Sequence, residues 1–425
     1  MYEYFFVLGK NPSLSASEII YVLKKLKINF NLLNTSDEIM IISTQDALAQ
    51  MISRLIQTLG GTVKIGQIID EVKLDESETK FQQIFTSHNL LNKYFPQKKR
   101  KLHLGISLYN AGGNADYLQR LSKQLKNFCL IMKSNLQEAG KKVGFVRIKE
   151  RQLSSVSVCK NQLLGQGVEI ILILTDKSIL AGKTLAVQEF GSFSFRDYGR
   201  PARDKRVGIL PPKLARMMIN LAQLDKEAVI LDPFCGSGTI LQEAILLEYA
   251  NLIGSDISEK AVTDTKKNID WLFKNYHDLD KSSYNIKLFQ TDVRTLPAQI
   301  KQNSVDAVIT EPYLGPPLFK KPNAITSEKI LSEVSSLYLC AFTRFSNILK
   351  TNGKIVIIFP VFEENGIFHF ANILDKIQSF GLQQESFFPK DFNSQLVTRL
   401  TKRNSLLYGN QEQFGRREIL IFSKK

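Results

Sequence analysis

The run Val229-Ile230-Leu231-Asp232-Pro233-Phe234-Cys235-Gly236-Ser237-Gly238-Thr239-Ile240 restricts the available folds more than any other stretch of the chain. An apolar strand ends in an aspartate, a tight Gly-x-Gly turn follows, and a helix opens at once. Glycines there let the backbone turn sharply and approach a ligand, in the crevice beyond the carboxyl edge of a parallel sheet. The alternation continues with strands at 252–256, 286–292, 305–310 and 354–359 and helices at 240–248, 259–274 and 330–349. Such a pattern predicts an α/β, Rossmann-like domain over 208–425, with a mostly parallel sheet of seven strands and helices on both faces.

Three cofactor classes use a glycine turn at such a place. A phosphate-cradling loop needs Gly-Lys-Ser/Thr, and this run has no lysine. A dinucleotide turn needs a third glycine, where Leu241 stands. The remaining class binds S-adenosylmethionine, which has no pyrophosphate to accommodate. Asp256 closes the next strand, 20 residues after Gly236, where a carboxylate can accept bonds from two ribose hydroxyls; dinucleotide folds place one likewise. Asp292 closes the third strand and can receive the adenine amino group. A single aspartate after a strand is ordinarily a helix cap or turn residue. Three at successive strand ends around one glycine turn favour S-adenosylmethionine.

The fourth strand runs into Glu311-Pro312-Tyr313-Leu314-Gly315. An amine conjugated to a ring is a poor nucleophile, because its lone pair is delocalised. A carboxylate and a backbone carbonyl accepting its two N–H groups pull the nitrogen toward tetrahedral geometry and aim the lone pair, while an aromatic face stacks on the ring. Glu311, Pro312 and Tyr313 are therefore the expected catalytic residues. The bland alternative is a proline-rich loop with a capping glutamate.

Upstream, the first 75 residues read strand 2–8, helix 15–26, strands 28–33 and 39–43, helix 46–59 and strand 63–72, the βαββαβ order of a ferredoxin-like domain. Residues 76–187 read helix 78–94, strand 102–109, helix 116–139, strand 143–148, helix 154–164 and strands 169–174 and 179–187, and 188–207 read as a linker. Charge is divided unevenly. The net charge is +15, yet residues 91–160 alone hold 15 Lys and Arg against three acidic residues, whereas 201–425 hold 29 against 24. The surplus at Lys98-Lys99-Arg100-Lys101, Lys123, Lys126, Lys141-Lys142 and Arg147 is expected to face phosphates, the alternative being solvated helix faces. Arg200 and Arg203 either touch an RNA backbone or pair with Asp197 and Asp204.

These motifs together resemble the THUMP-domain RNA methyltransferases, and within them the tRNA guanosine-10 N2-methyltransferases and their eukaryotic catalytic-subunit relatives. The resemblance covers nearly the whole chain. It rests on Phe5-Phe6-Val7-Leu8-Gly9-Lys10-Asn11-Pro12-Ser13-Leu14-Ser15, Asp197-Tyr198-Gly199-Arg200-Pro201-Ala202-Arg203-Asp204, Gly208-Ile209-Leu210-Pro211-Pro212-Lys213-Leu214-Ala215 and Asp232-Pro233-Phe234-Cys235-Gly236-Ser237-Gly238-Thr239. The last run is common to class I methyltransferases; its combination with the others is far more selective. The resemblance implies a ferredoxin-like module (1–75) and a THUMP module (76–187) that grip folded tRNA, and a catalytic domain (208–425) with S-adenosyl-L-methionine as methyl donor. The implied product is N2-methylguanosine or its dimethyl form.

By position, Pro211, Lys213, Asp232, Pro233, Cys235, Gly236, Gly238, Thr239, Asp256, Ile257, Asp292 and Val293 would line the cofactor pocket, and Glu311, Pro312 and Tyr313 would meet the base. Where relatives read Thr-Asp-Pro-Pro-Tyr-Gly, this chain reads Thr310-Glu311-Pro312-Tyr313-Leu314-Gly315, so the carboxylate has one more methylene and Leu314 takes the aromatic position. Methylation of ribosomal RNA or DNA, and a non-catalytic RNA-binding subunit, are the competing readings.

Other features weigh less. Cys235 lies in the turn with no adjacent base and reads as a small packing residue; Cys129, Cys159 and Cys340 read as core. Four scattered His and no Cys-x-x-Cys pair argue against a metal. Phe387-Phe388 reads as strand core, and Phe368, His369 and Phe370 as one helix face. No apolar run approaches the ~20 residues of a membrane span, and the apolar start at Met1 lacks a basic leader, so the expected setting is cytoplasmic. A monomer, or a partner of a small activating subunit, is the expected state.

Overall fold

The computed structural model describes residues 1–75, 81, 83–95, 101–147, 149–203, 209–388, 400–409 and 413–425. They form two compact units, one reaching Phe190 and the other beginning at Gly191.

In the first unit, β1 (Tyr2–Leu8), β2 (Phe30–Thr35), β3 (Ile39–Thr44) and β4 (Thr62–Lys73) lie in the order β2-β3-β1-β4, every pair antiparallel. That is the ferredoxin-like strand order. β4 is long enough to pair with β1 on one edge and with β8 (Ser178–Val187) on the other. The sheet continues through β7 (Gly167–Leu174), β5 (Lys101–Asn110) and β6 (Lys142–Phe145). Residues 1–75 and 76–187 therefore build one eight-stranded sheet. A buried ion pair ties β4 to β7: Lys64 Nζ donates to Glu169 Oε1 at 2.5 Å and to the Leu153 carbonyl, and Ser107 and Thr184 hydroxyls satisfy the remaining carboxylate capacity.

Two helices differ from the sequence reading. The one expected over 78–94 is broken at Thr86, whose extended backbone and side chain cap Ser87–Asn89, which passes into a π-helical turn Leu90–Tyr94. The one expected over 46–59 splits at Met51 into Leu48–Gln50 and Ile52–Thr58.

The second unit carries β9 (Val229–Asp232), β10 (Asn251–Asp256), β11 (Asn285–Gln290), β12 (Val305–Thr310), β13 (Leu349–Glu364), β14 (Ile367–Phe370), β15 (Leu382–Gln384), β16 (Leu406–Tyr408) and β17 (Arg416–Lys424). The central path runs β11-β10-β9-β12-β13-β17-β15; β11 to β13 are parallel, and β17 is antiparallel to both its neighbours. β14 and β16 flank that seven-strand path, which makes nine strands in all. Phe368, His369 and Phe370 thus belong to a strand, not a helix, paired back onto β13. Phe387 and Phe388 are buried, but in a bend after β15. Cys129 is in the core as expected, whereas Cys159 and Cys340 are exposed on outer helix faces.

Much of the expected linker is helical, over Phe190–Tyr198. This helix buries Arg196 against Glu243 of the helix Thr239–Leu246, and Arg216 of the helix Pro212–Leu221 reaches the same carboxylate. Arg196 Nε lies 2.5 Å from Glu243 Oε1 and Arg216 Nε 2.8 Å from Oε2, while both guanidinium groups lie over the Phe193 ring. Three helices are locked by one buried charge cluster. Glu243→Gln removes the one carboxylate that, among the described residues, both buried guanidinium groups share. The expected cost is about 3–5 kcal/mol in urea unfolding, against less than about 1 kcal/mol for disrupting the exposed Lys281–Asp270 pair.

Candidate active site

β9 lies between β10 and β12, and the connections from β9 and β12 leave on opposite sides, so a crevice opens beyond the carboxyl ends of these strands. A cavity of about 420 Å3 occupies it. The glycine turn forms its floor. Gly236 and Gly238 both adopt left-handed φ, +51° and +80°. A Cβ on Gly236 would meet nothing, so its backbone alone demands glycine; at Gly238 a Cβ would also strike Thr265, at 2.9 Å. The turn is held by Gly238 N–H to the Cys235 carbonyl and by Cys235 N–H to the Ser255 carbonyl on β10. Asp256 then ties strand end to turn: Oδ2 accepts from Gly236 N at 3.0 Å and Oδ1 from Ser258 N at 3.0 Å.

Asp232 is fully buried at the end of β9, where Thr310 Oγ1 donates to its Oδ1 at 2.7 Å and the Phe234 amide at 3.2 Å. Burial pushes its acid up to about 7; Asp256 and Glu311 add to the rise, and the two hydrogen bonds oppose it. Burial likewise raises the Cys235 thiol far above its usual range, so it stays protonated and packs beside Thr265. Asp292 caps the 3-10 helix Val293–Ala298, and its carboxylate is embraced by the exposed Arg294, which holds its acid below the usual range.

Across the crevice, Glu311 follows β12. Arg417 of β17 reaches it, Nε to Oε1 at 2.5 Å and Nη2 to Oε2 at 3.4 Å. Pro312 is buried, and Tyr313 is 49% exposed at the rim. The Tyr338 hydroxyl donates to the Tyr313 carbonyl at 2.7 Å, fixing the loop from beneath. Gly315, at φ +104°, lies where a Cβ would run into Ile330.

Of the residues singled out in the sequence, Asp232, Pro233, Cys235, Gly236, Thr239, Asp256, Ile257, Asp292, Val293, Glu311, Pro312 and Tyr313 all line this one cavity. Pro211, Lys213 and Gly238 do not. Pro211 caps the helix Pro212–Leu221, Lys213 lies over the Phe193 ring, and Gly238 opens the helix behind the turn. Arg200 is not a surface residue: it is 3% exposed and donates from Nη1 to Thr239 Oγ1 at 2.6 Å, so it supports the turn from behind instead of meeting RNA. Arg203 stacks over Tyr198. Lys98, Lys99 and Arg100 lie outside the described residues, and Lys101 begins β5. Lys142 and Arg147 are exposed and Lys141 half-buried.

Sequence reasoning missed Arg417, Arg294 and Leu337 of the lining. Arg294 stood two residues from Asp292; Arg417 lies 106 residues from its partner and had no local signal. Among the described residues no cluster of His, Cys, Asp and Glu could hold a metal, and no helix is long and apolar enough to cross a membrane.

The donor set fits S-adenosylmethionine: a carboxylate beside a glycine turn, two more acids on the same rim, and apolar walls at Ile209, Leu210, Phe234 and Val293. A family model described as RMKL-like, methyltransferase domain matches residues 200–365, and one described as DNA methylase matches residues 14–267. The tRNA (guanine(10)-N2)-dimethyltransferase of Methanocaldococcus jannaschii is 27% identical over 239 residues, 54% of this chain and 61% of that protein. The probable tRNA (guanine(10)-N2)-dimethyltransferase of Methanothermococcus thermolithotrophicus is 32% identical over 145 residues, 34% of this chain and 77% of that protein. The chain thus spans about three fifths of the first of these relatives. Among solved structures, TrmN from Thermus thermophilus shares the fold along all of both chains, with a TM-score of 0.54 at 14% identity. The chain belongs to the class I methyltransferase family of the tRNA (guanine(10)-N2)-dimethyltransferases.

Proposed function

We propose that this chain methylates the exocyclic N2 of a guanosine in tRNA, guanosine 10 by likeness to its relatives. One observation carries the reading: Glu311, beyond β12, opens on the same cavity as the Gly236 and Asp256 cradle beyond β9 and β10. An amine-orienting carboxylate and a cofactor cradle are thereby brought to one place.

When bound, S-adenosylmethionine supplies an electrophilic methyl group on a sulfonium. Asp256 would hold it through the ribose hydroxyls and Asp292 through the adenine amine, and the Gly236 turn would let the backbone come close. Glu311 and the Pro312 carbonyl would accept the two N–H groups of N2, localising its lone pair and offsetting the positive charge that develops on the amine. The base stacks on exposed Tyr313, after unstacking at a cost of a few kcal/mol. The proton of the methylated amine then leaves to water or Glu311.

Residues 1–75 and 76–187 act as ferredoxin-like and THUMP modules that bind the tRNA backbone by shape and charge. Exposed Arg120, Lys123 and Lys126 on the helix Ala115–Glu138, with Lys142 and Arg147, supply the cations. Two cations of the basic window are already matched, Lys93 by Asp70 and Arg151 by Glu38.

Purified protein, tritiated S-adenosylmethionine and unmodified tRNA are expected to yield N2-methylguanosine on digestion, with tRNA outcompeting duplex DNA. A digest without that nucleoside, or preferential labelling of the DNA, would overturn the reading. Glu311→Gln is expected to lower kcat on the order of 10²-fold with little change in cofactor binding. A second prediction concerns Asp232. Its folded-state acid titrates near 7 and its unfolded one near the ordinary carboxylate value of about 4. The folded protein therefore holds a proton that the unfolded chain releases, and stability declines as pH rises from about 4 to 7. Asp232→Asn should raise the urea midpoint more at pH 8 than at pH 5; an equal gain at both would show that Asp232 does not hold that proton.

A further inference from the structure

Arg417 is assigned no part in the chemistry so far, yet it lines the cavity and engages Glu311 through two nitrogens. The charges around Glu311 make that contact consequential. Asp232 on β9 faces it as a like charge, and the hydroxyls of Tyr338 on the helix Ala324–Ile348 and Tyr408 on β16 feel its field. Arg417 on β17 is the cation in contact with it. Burial disfavours a charge on Asp232, and the neighbouring Glu311 adds to that effect. Among the described residues, Asp232 has Thr310 and an amide for partners but no cation in hydrogen-bond contact; Glu311 has the guanidinium.

We propose that Arg417 is a positioning residue that assigns the negative charge of the crevice to Glu311, holding that carboxylate ionised and aimed as the acceptor of the substrate amine. The inference rests on the methyltransferase reading of Glu311 given above. It also accounts for the longer acid at this place. The extra methylene of Glu311 lets one carboxylate lie within reach of β17 while still lining the cavity. With Arg417 in contact, the Glu311 carboxylate is held as a hydrogen-bond acceptor on the cavity wall.

The test uses the full-length protein and two readouts. Methyl transfer to tRNA, counted as total tritium whichever nucleoside is labelled, is followed against pH for wild type, Arg417→Gln and Arg417→Lys. Removing the cation disfavours the charged carboxylate, so the acid limb of kcat in Arg417→Gln is expected to move to higher pH by about one to three units, with Arg417→Lys restoring most of the shift. Independently of turnover, the Glu311 side-chain carboxyl carbon is titrated by 13C NMR without cofactor, its signal assigned by its loss in Glu311→Gln. Its midpoint should rise in Arg417→Gln. An unmoved midpoint, or a loss of rate equal at all pH values, would overturn the proposal. The NMR titration stands whether or not N2-methylguanosine is formed, so failure of the positioning role is distinguishable from failure of the substrate reading. Circular dichroism and urea midpoints identify a variant that fails to fold, in which case Arg417→Lys carries the comparison.

Discussion

The site depends on a single topological constraint: the parallel sheet reverses its order at β9. Strands on either side of that point send their connections to opposite faces, and their carboxyl ends stand open together. Residues that end β9 and β10 or immediately follow β12 are brought to one cavity without any long loop. The difficulty is electrostatic, because all three positions carry acids, at Asp232, Asp256 and Glu311. The protein resolves each differently. Asp232 is buried, hydrogen-bonded by Thr310 and poised near neutrality; each oxygen of Asp256 accepts one backbone amide and keeps a lone pair free; Glu311 is met by a guanidinium.

The turn that closes this crevice needs support from behind, and the cluster around Glu243 supplies it. The helix that starts at Thr239 is held by Arg196 and Arg216 through one carboxylate and backed by the Phe193 ring. Arg200 adds a bond to Thr239 itself. The Arg-rich segment before the catalytic strands is thus internal scaffolding. Arg196 and Arg200 are buried and turned to the protein.

What was legible in the sequence was what local periodicity and punctuation carry. β9, β10 and β12 were visible as apolar runs ending in acids or at Glu311, and the Gly236-Ser237-Gly238 turn identified the crevice before any coordinate did. Twelve of the fifteen expected catalytic and cofactor residues line the cavity. Of the three that do not, Pro211 and Gly238 lie next in sequence to lining residues and Lys213 stands in the first turn of the helix that Pro211 caps, where side-chain direction decides and spacing cannot. Charge was misjudged wherever a partner was distant: Arg200 and Arg196 are hydrophilic by type yet buried, because Thr239 and Glu243 fold back to them. The break at Thr86 was hidden because a threonine inside an apolar-periodic stretch can be a helix residue or a cap, and only tertiary context chooses. The continuity of the N-terminal sheet was equally hidden, since the pairing of β4 with β8 joins segments that each look complete alone.

The antiparallel insertion of β17 between β13 and β15 has a consequence for where the parts of the site come from. Cradle residues run from Ile209 to Asp292, whereas Arg417 reaches Glu311 from the last strand of the sheet. The cradle is thus drawn from one continuous stretch of the chain, whereas the counter-ion of Glu311 is supplied only through the pairing of β17 with β13.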